Sequence, residues 1–386
     1  METIKSVLAD ILCCALLSCS SNQHEGLPEA SLIETADTLS YEIKPTVSVY
    51  NNSLQIFTDR DGSEYITLLD QNASEISIYK LSGSTVSRTI KYEKEGADGI
   101  GNSYLFYMKD WNTYYIPAVS LPMIYVLNGE GKISKTISYE DNPDITVFNS
   151  YFYHSIFVHD NKLFSYIAPR RNSNFNVIDS PSEICINLKD ETYSLSPDLY
   201  PKEMNQAISG KQLTPTSLTL SSRCFDGKNL VYSFSYNDSI VVMSPDFSEV
   251  TSKIAKSKYI GSLKFPKDYQ GDFVENWRIF CSDAFYGHIV YDPYRKLYYR
   301  FAYPKTDLEK KEENWYDLSQ SGRDEFSIII LDEDLNVIGE TKFPRDRFRS
   351  NLYFVCKDGF YISCNHYKNP GYTDDKLQFV KFVVKQ

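Results

Sequence analysis

The sequence has no surplus of positive charge, little methionine, no CxxC pair and no local catalytic or metal-binding signature, and each shortage removes a class of function. Forty Lys and Arg against 51 Asp and Glu leave a net charge of −11. That balance opposes a general attraction to phosphate backbones or anionic lipid, so nucleic-acid binding is not expected. The cysteines are Cys13, Cys14, Cys19, Cys185, Cys224, Cys281, Cys356 and Cys364. None has the spacing of a zinc ligand pair, and the five after Cys19 cannot all pair within one molecule. Cys356 and Cys364 alone are close enough to face each other across a hairpin, which spacing by itself does not establish.

The remaining motifs fail on their own chemistry. Gly96, Gly99 and Gly101 are in the wrong order for a dinucleotide fingerprint, and no helical pattern follows them. Asp332-Glu333-Asp334-Leu335-Asn336 resembles the start of a calcium loop, but Val337 stands where glycine must make the sharp turn. His24, His154, His159, His288 and His366 are scattered, without HExxH, and no GxSxG motif presents a serine nucleophile. No metal, cofactor or catalytic residue is assigned from sequence.

What is present is a globular composition rich in aromatics. Of 386 residues, 42% are hydrophobic and 24% charged, which is enough to build a core and excludes a mostly disordered or polytopic membrane chain. Tyr (31) and Phe (22) far outnumber Met (5), a bias toward pleated surfaces, so an all-β chain is expected.

The N-terminus reads as an export signal. The apolar stretch around Ile11–Leu17 is shorter than the ~20 residues needed to span a bilayer but suits a secretory signal. Leu16-Leu17-Ser18-Cys19 resembles a bacterial lipobox, in which the cysteine is lipidated and becomes the new N-terminus. Asp10 and the weak positive charge before it depart from that pattern. The expected organisation is a signal peptide at 1–18, lipidated Cys19 with a polar tether over 19–36, and a folded domain over 37–386. The chain would then be held to a membrane by acyl groups alone.

The folded part is repetitive. Strand pairs with alternating apolar residues flank turns at Asp59-Arg60-Asp61-Gly62, Asp110-Trp111-Asn112, Asp160-Asn161-Lys162, Asp226-Gly227-Lys228, Asp292-Pro293-Tyr294-Arg295 and Asp358-Gly359. The leading aspartates are 51, 50, 66, 66 and 66 residues apart. A second hairpin follows most of them, starting near Ile78, Ile124, Ile240 and Ile328, with a weaker copy at Ile184–Leu188. Two hairpins make a four-stranded meander, and its repetition predicts a six-bladed β-propeller of four-stranded antiparallel blades. The last copy lacks a fourth strand after Leu377–Val384, so an N-terminal strand at Leu39–Ile43 is expected to join the C-terminal blade and close the ring.

With its lipobox, Glu95-Gly96-Ala97-Asp98-Gly99-Ile100-Gly101 and Tyr291-Asp292-Pro293-Tyr294-Arg295-Lys296-Leu297-Tyr298-Tyr299-Arg300, the chain resembles a Bacteroides-type family of propeller lipoproteins of unknown function. The resemblance covers nearly the whole mature chain. It implies a propeller and an envelope location, and it brings no catalytic residues.

In a propeller the Asp turns would share one face, and the connections between strands b and c and between blades would share the other. The second face carries the long segments, which in a compact domain are often functional. It would hold Arg170, Arg171, Trp277, Arg278, Trp315, Tyr316, His366, Tyr367 and Tyr372 as candidate ligand contacts, because Arg recognises carboxylates and Trp and Tyr offer flat faces. The expectation is a membrane-tethered envelope binding protein for a glycan, peptide or protein, without catalysis. A metal-dependent propeller hydrolase or lyase, or a scaffold subunit of an envelope complex, are the alternatives. The residues after Cys19 lack a dense acidic run, which favours an orientation toward the periplasm over surface exposure.

Overall fold

The computed structural model describes residues 29–50, 53–118, 121–139, 154–167, 170–171, 177–178, 181–210, 221–265, 278, 281–307 and 315–386. They form six four-stranded antiparallel sheets. Strand β1 (Ser31–Glu42) comes first in the chain and belongs to the last sheet. The first blade is β2 (Leu54–Thr58), β3 (Glu64–Asp70), β4 (Glu75–Lys80) and β5 (Val86–Lys91). The second is β6 (Tyr107–Asp110), β7 (Thr113–Pro117), β8 (Met123–Leu127) and β9 (Ile133–Ser138). The third is β10 (Phe157–His159), β11 (Lys162–Tyr166), β14 (Glu183–Asn187) and β15 (Tyr193–Leu195), with a two-stranded excursion of β12 (Arg170–Arg171) and β13 (Val177–Ile178) between its middle strands. The fourth is β16 (Ser221–Phe225), β17 (Leu230–Phe234), β18 (Ser239–Met243) and β19 (Val250–Ile254). The fifth is β20 (Phe285–Asp292), β21 (Leu297–Tyr303), β22 (Ser327–Leu331) and β23 (Val337–Lys342). The sixth is β24 (Tyr353–Cys356), β25 (Gly359–Ser363) and β26 (Lys376–Lys385), with β1 as its outer strand. Helix α1 (Lys202–Ile208) follows the third blade. Helix α2 (Trp315–Ser321) precedes β22. No helix among the described residues is long and apolar enough to cross a membrane.

Each middle strand is apolar on both faces, because each face meets a neighbouring blade. In β21, Tyr299, Phe301 and Tyr303 pack toward the sixth blade while Tyr298 and Ala302 pack toward the fourth. Outer strands face water, and β19 is accordingly Val-Thr-Ser-Lys-Ile and mostly exposed. The buried side chains divide into six clusters, and each cluster draws on two adjacent blades. One of them joins Tyr361 and Phe379 of the sixth blade to Ile66 and Tyr79 of the first. Six interfaces for six blades make a closed ring, since an open array would have five. A fully buried side chain of this kind contributes roughly 1.5–3 kcal/mol, so the interfaces dominate the stability.

The chain starts this ring earlier than its sequence indicates. Strand β1 pairs antiparallel with β26 from Ser31↔Lys385 to Glu42↔Lys376, with an irregularity between Glu34 and Thr38. It is therefore 12 residues long, not the five of Leu39–Ile43, and it takes up residues 31–36 that read as tether. The reason is its outward face: much of Ser31–Glu42 is exposed, so it carries little of the alternation that marks a buried strand. Its first turn also leans on the fifth blade. The Leu32 amide donates to Thr341 Oγ1 at 2.8 Å, and Ala30 bridges Gly339. A Cβ at Gly339 would lie 1.8 Å from the Ala30 carbonyl oxygen, so only glycine admits this approach.

The Asp turns are structural. Asp226 Oδ2 accepts from the Tyr298 hydroxyl of the next blade at 2.6 Å, and Asp59 Oδ2 accepts from Trp111 Nε1 at 2.8 Å. Asp292, fully buried, accepts from the Tyr294 and Arg295 amides, from Arg295 Nη1 and from the Tyr299 hydroxyl. At Asp160 and Asn161 both φ angles are positive (46° and 59°), the two-residue turn that Asp and Asn tolerate best. Cys356 and Cys364 are both free. They stand at opposite ends of the five-residue strand β25, about 17 Å of extended chain apart, so no bond can join them.

Candidate functional site

The inner strands of all six blades surround one cavity of about 450 Å³ on the ring axis. Its wall is built from residues 53–56, 105–107, 155–158, 223–225, 289–291 and 351–355. These are the residues just upstream of the six Asp turns. The lining is chiefly aliphatic and aromatic, with Tyr107, Phe157, Phe225, Tyr291 and Tyr353 among its side chains. Neither a carboxylate nor a histidine belongs to it, and among the described residues no three His, Cys, Asp or Glu are grouped to hold a metal ion.

Arg223 is the one strongly basic residue in that wall, and its charge is met within the protein. Its Nε donates to Glu183 Oε1 at 2.6 Å and its Nη2 to Glu183 Oε2 at 3.1 Å, both side chains having no exposed surface. Nη1 donates to the Ser155 carbonyl at 2.7 Å, and the Tyr232 hydroxyl donates to Glu183 Oε1 at 2.8 Å. The pair thereby ties the third blade to the fourth. Burial pushes the Glu183 carboxyl above the usual range, against the pull of Arg223 and Tyr232. Beside it, the His154 ring stacks on Tyr166 at 3.6 Å, and its Nε2 lies 2.9 Å from Ser221 Oγ. Tyr200 is hydrogen-bonded to both Tyr166 and Ser221. Burial, helped by Arg223 and His288, holds His154 well below the ordinary histidine value, and burial does the same to His288.

Polar wall groups are mostly used up in joining blades. Gln55 accepts from the Met108 amide and donates to the Met108 carbonyl, and the Tyr107 hydroxyl is bonded to the Val158 backbone. Asn351 differs. Its Nδ2 donates to the Gln320 carbonyl at 2.8 Å, while its buried Oδ1 accepts no hydrogen bond.

Among the described residues, none of those singled out from sequence belongs to the wall of the cavity. Arg170 and Arg171 form β12, paired with Ile178 and Val177, and Trp315 and Tyr316 open α2. Trp277 lies outside the described residues, and Arg278 is half-buried. His366, Tyr367 and Tyr372 share the connection between β25 and β26. The Tyr372 amide donates to the Asn369 carbonyl at 2.8 Å. His366 is fully buried, stacks on Tyr367 at 5.0 Å and accepts from the Lys368 amide through Nδ1 at 3.3 Å. Burial lowers it to about 4. Arg349 is fully buried as well, its Cζ 5.3 Å from the centre of the Tyr50 ring, and burial lowers it to about 9.

Sequence reasoning missed the axial residues themselves. Their signal was position: each lies within seven residues before an Asp turn, on the first strand of its blade or in the residues leading into it.

Six four-stranded blades around an axial cavity define a six-bladed β-propeller with a central pocket. Residues 29–342 match the family described as a domain of unknown function, DUF4221, and the chain belongs to that family. A member of the same family from Bacteroides vulgatus, of known crystal structure, is 23% identical, with 93% of this chain and 99% of that one covered at a TM-score of 0.75. A candidate exported protein of Bacteroides fragilis is 9% identical, with 92% and 96% covered at a TM-score of 0.55. At these identities the likeness concerns the fold. No curated protein matches the chain.

Proposed function

We propose that this is a lipid-anchored binding protein of the bacterial envelope, facing the periplasm, whose ligand occupies the axial cavity and is met by the surrounding long connections. One observation carries this reading: a cavity of about 450 Å³, walled by all six blades, whose ionisable wall group Arg223 is neutralised by Glu183 instead of being poised for chemistry. Arg170, Arg171, Trp277, Arg278, Trp315, Tyr316, Tyr367 and Tyr372 then act as secondary contacts around the opening, and His366 as internal support.

Thermal-shift screening of glycans, peptides and small apolar compounds tests the binding role. A ligand at 100 times its Kd should stabilise the protein by about 2.7 kcal/mol. The Val355→Trp variant, which narrows the cavity, should fold with a Tm lowered by the added bulk against the core and lose the shift. Turnover of any of these compounds, abolished by the same variant, would replace the binding role with an enzymatic one.

The anchor has a separate test. Cells expressing the chain should incorporate labelled palmitate into it, and Cys19→Ala should abolish the label and release the protein to the soluble fraction. Label retained by that variant would rule out Cys19 as the attachment point.

A further inference from the structure

We infer that the outer edges of the fourth, fifth and sixth blades form the face that the protein lays against the phospholipid membrane holding its acyl chains. The inference rests on Cys19 being the attachment point. The first observation is where the chain joins the ring. The Ala30 amide donates to the Ile338 carbonyl at 2.9 Å, and Glu29 accepts from Lys258 Nζ at 2.8 Å, so the polypeptide enters at the rim of the fifth blade. Glu29 is ten residues after Cys19, a length of chain that reaches at most about 36 Å. A domain of this size is roughly 50 Å across. The rim around the fifth blade can therefore meet lipid, whereas the second blade, opposite it in a ring of six, lies beyond reach.

The second observation is what that rim exposes. Among the described residues eight large hydrophobic side chains are exposed, and five of them belong here: Ile33 on β1, Val250 and Ile254 on β19, Tyr259 just after it and Val337 on β23. The outer strands of the other three blades, β5, β9 and β15, expose only Ser, Thr and Lys. Outer strands face water in every blade, so apolar exposure confined to three neighbouring ones, around the point where the chain enters, points to a surface that all three share. Lys258 and Lys342 stand over the Tyr259 ring at 5.4 and 5.7 Å, and both are ion-paired, with Glu29 and Glu325. Their charges are thus matched, which suits apolar burial at the membrane interface over attraction to anionic headgroups.

Quenching by lipid tests the face. The acylated chain, carrying the fluorophore NBD on Ile254→Cys of the fourth blade or on Thr136→Cys of the second, both exposed positions, is reconstituted into phosphatidylcholine vesicles with and without headgroup-spin-labelled lipid. Native chain treated in the same way corrects for label on its own cysteines. The chain should float with the vesicles, and the spin-labelled lipid should quench the probe on the fourth blade about fivefold more than the probe on the second. Adding Val250→Asp and Val337→Asp should roughly halve the quenching on the fourth blade, because apolar contact and not attachment alone holds the face down. In a chain that floats, quenching on the fourth blade no greater than on the second, or indifferent to the two added substitutions, would overturn the docking face and leave the anchor standing. A chain that does not float would overturn the anchor and this face together.

Discussion

Arg223→Met should lower the unfolding free energy by about 3–5 kcal/mol, because it strands the Glu183 carboxylate in a site with no exposed surface. After the substitution only the Tyr232 hydroxyl, at 2.8 Å, would still donate to that carboxylate. Glu183→Leu should cost about as much for the mirror reason, leaving the guanidinium with the Ser155 carbonyl and the face of Phe157, 5.1 Å away. The pair itself is not a large net source of stability, since burial opposes ionisation of Glu183. Replacing Arg223 by Met, Glu183 by Leu and Tyr232 by Phe together should therefore restore most of the loss, to within roughly 1–2 kcal/mol of the native protein. Denaturant titration of the two single variants and the triple variant decides the matter. Single losses below 1 kcal/mol would mean that solvent reaches the pair and that the junction of the third and fourth blades is held by apolar packing alone.

The same residues show where sequence reading stops. The blade count and the turn face were legible because both are local: an Asp-led turn between alternating strands is a short-range pattern, and six copies at near-regular spacing give six hairpins. The outer strand β1 was only half legible, since Ser31–Asp37 lies mostly in solvent and carries no apolar alternation. The axial wall was less legible still. Arg223 meets Glu183 from 40 residues away in the neighbouring blade, and residues 53–56 share a wall with 351–355 only because the ring closes, so nothing in their local sequence distinguishes an axis-facing residue from one packed against a blade. Arg300 shows the opposite error that composition invites. An arginine in Tyr298-Tyr299-Arg300-Phe301 looks like a ligand contact, yet it is fully buried on the Tyr286 ring, at 3.6 Å, and donates to the carbonyls of Asn237, Asp238 and Ala255. It is an internal tie between the fourth and fifth blades. Long connections drew attention for their length, but the cavity is walled by the first strand of each blade and the residues that lead into it.

Acidification from pH 7 to pH 5 is the second large effect, and its sign follows from the histidines. Burial holds His154 and His288 well below the ordinary value of 6.5 and His366 at about 4. For His366 the neighbouring Asp324 pulls upward, while Lys368 and Arg349 push down with the burial. Between pH 6.5 and these lowered values the unfolded chain binds protons that the folded chain refuses, so stability is present above 6.5 and is lost as the pH falls through that window. Each histidine should cost about 2 kcal/mol over the interval, and the three together roughly 5–6 kcal/mol. Carboxylates in their ordinary range contribute little there, because that range lies lower, while Glu183, raised by burial, works in the opposite direction to the histidines. His366→Asn should start from a lower stability at pH 7 but lose about a third less on acidification, since one of the three refused protons is gone. Unfolding measured at pH 7, 6 and 5 checks both statements, and a flat profile in the native protein would show that these rings are hydrated and free to charge. The consequence for the ring is specific. His154 stacks on Tyr166 at the junction that Arg223 and Glu183 also hold, so protonating it sets a second positive charge beside Arg223 and opens the third and fourth blades first.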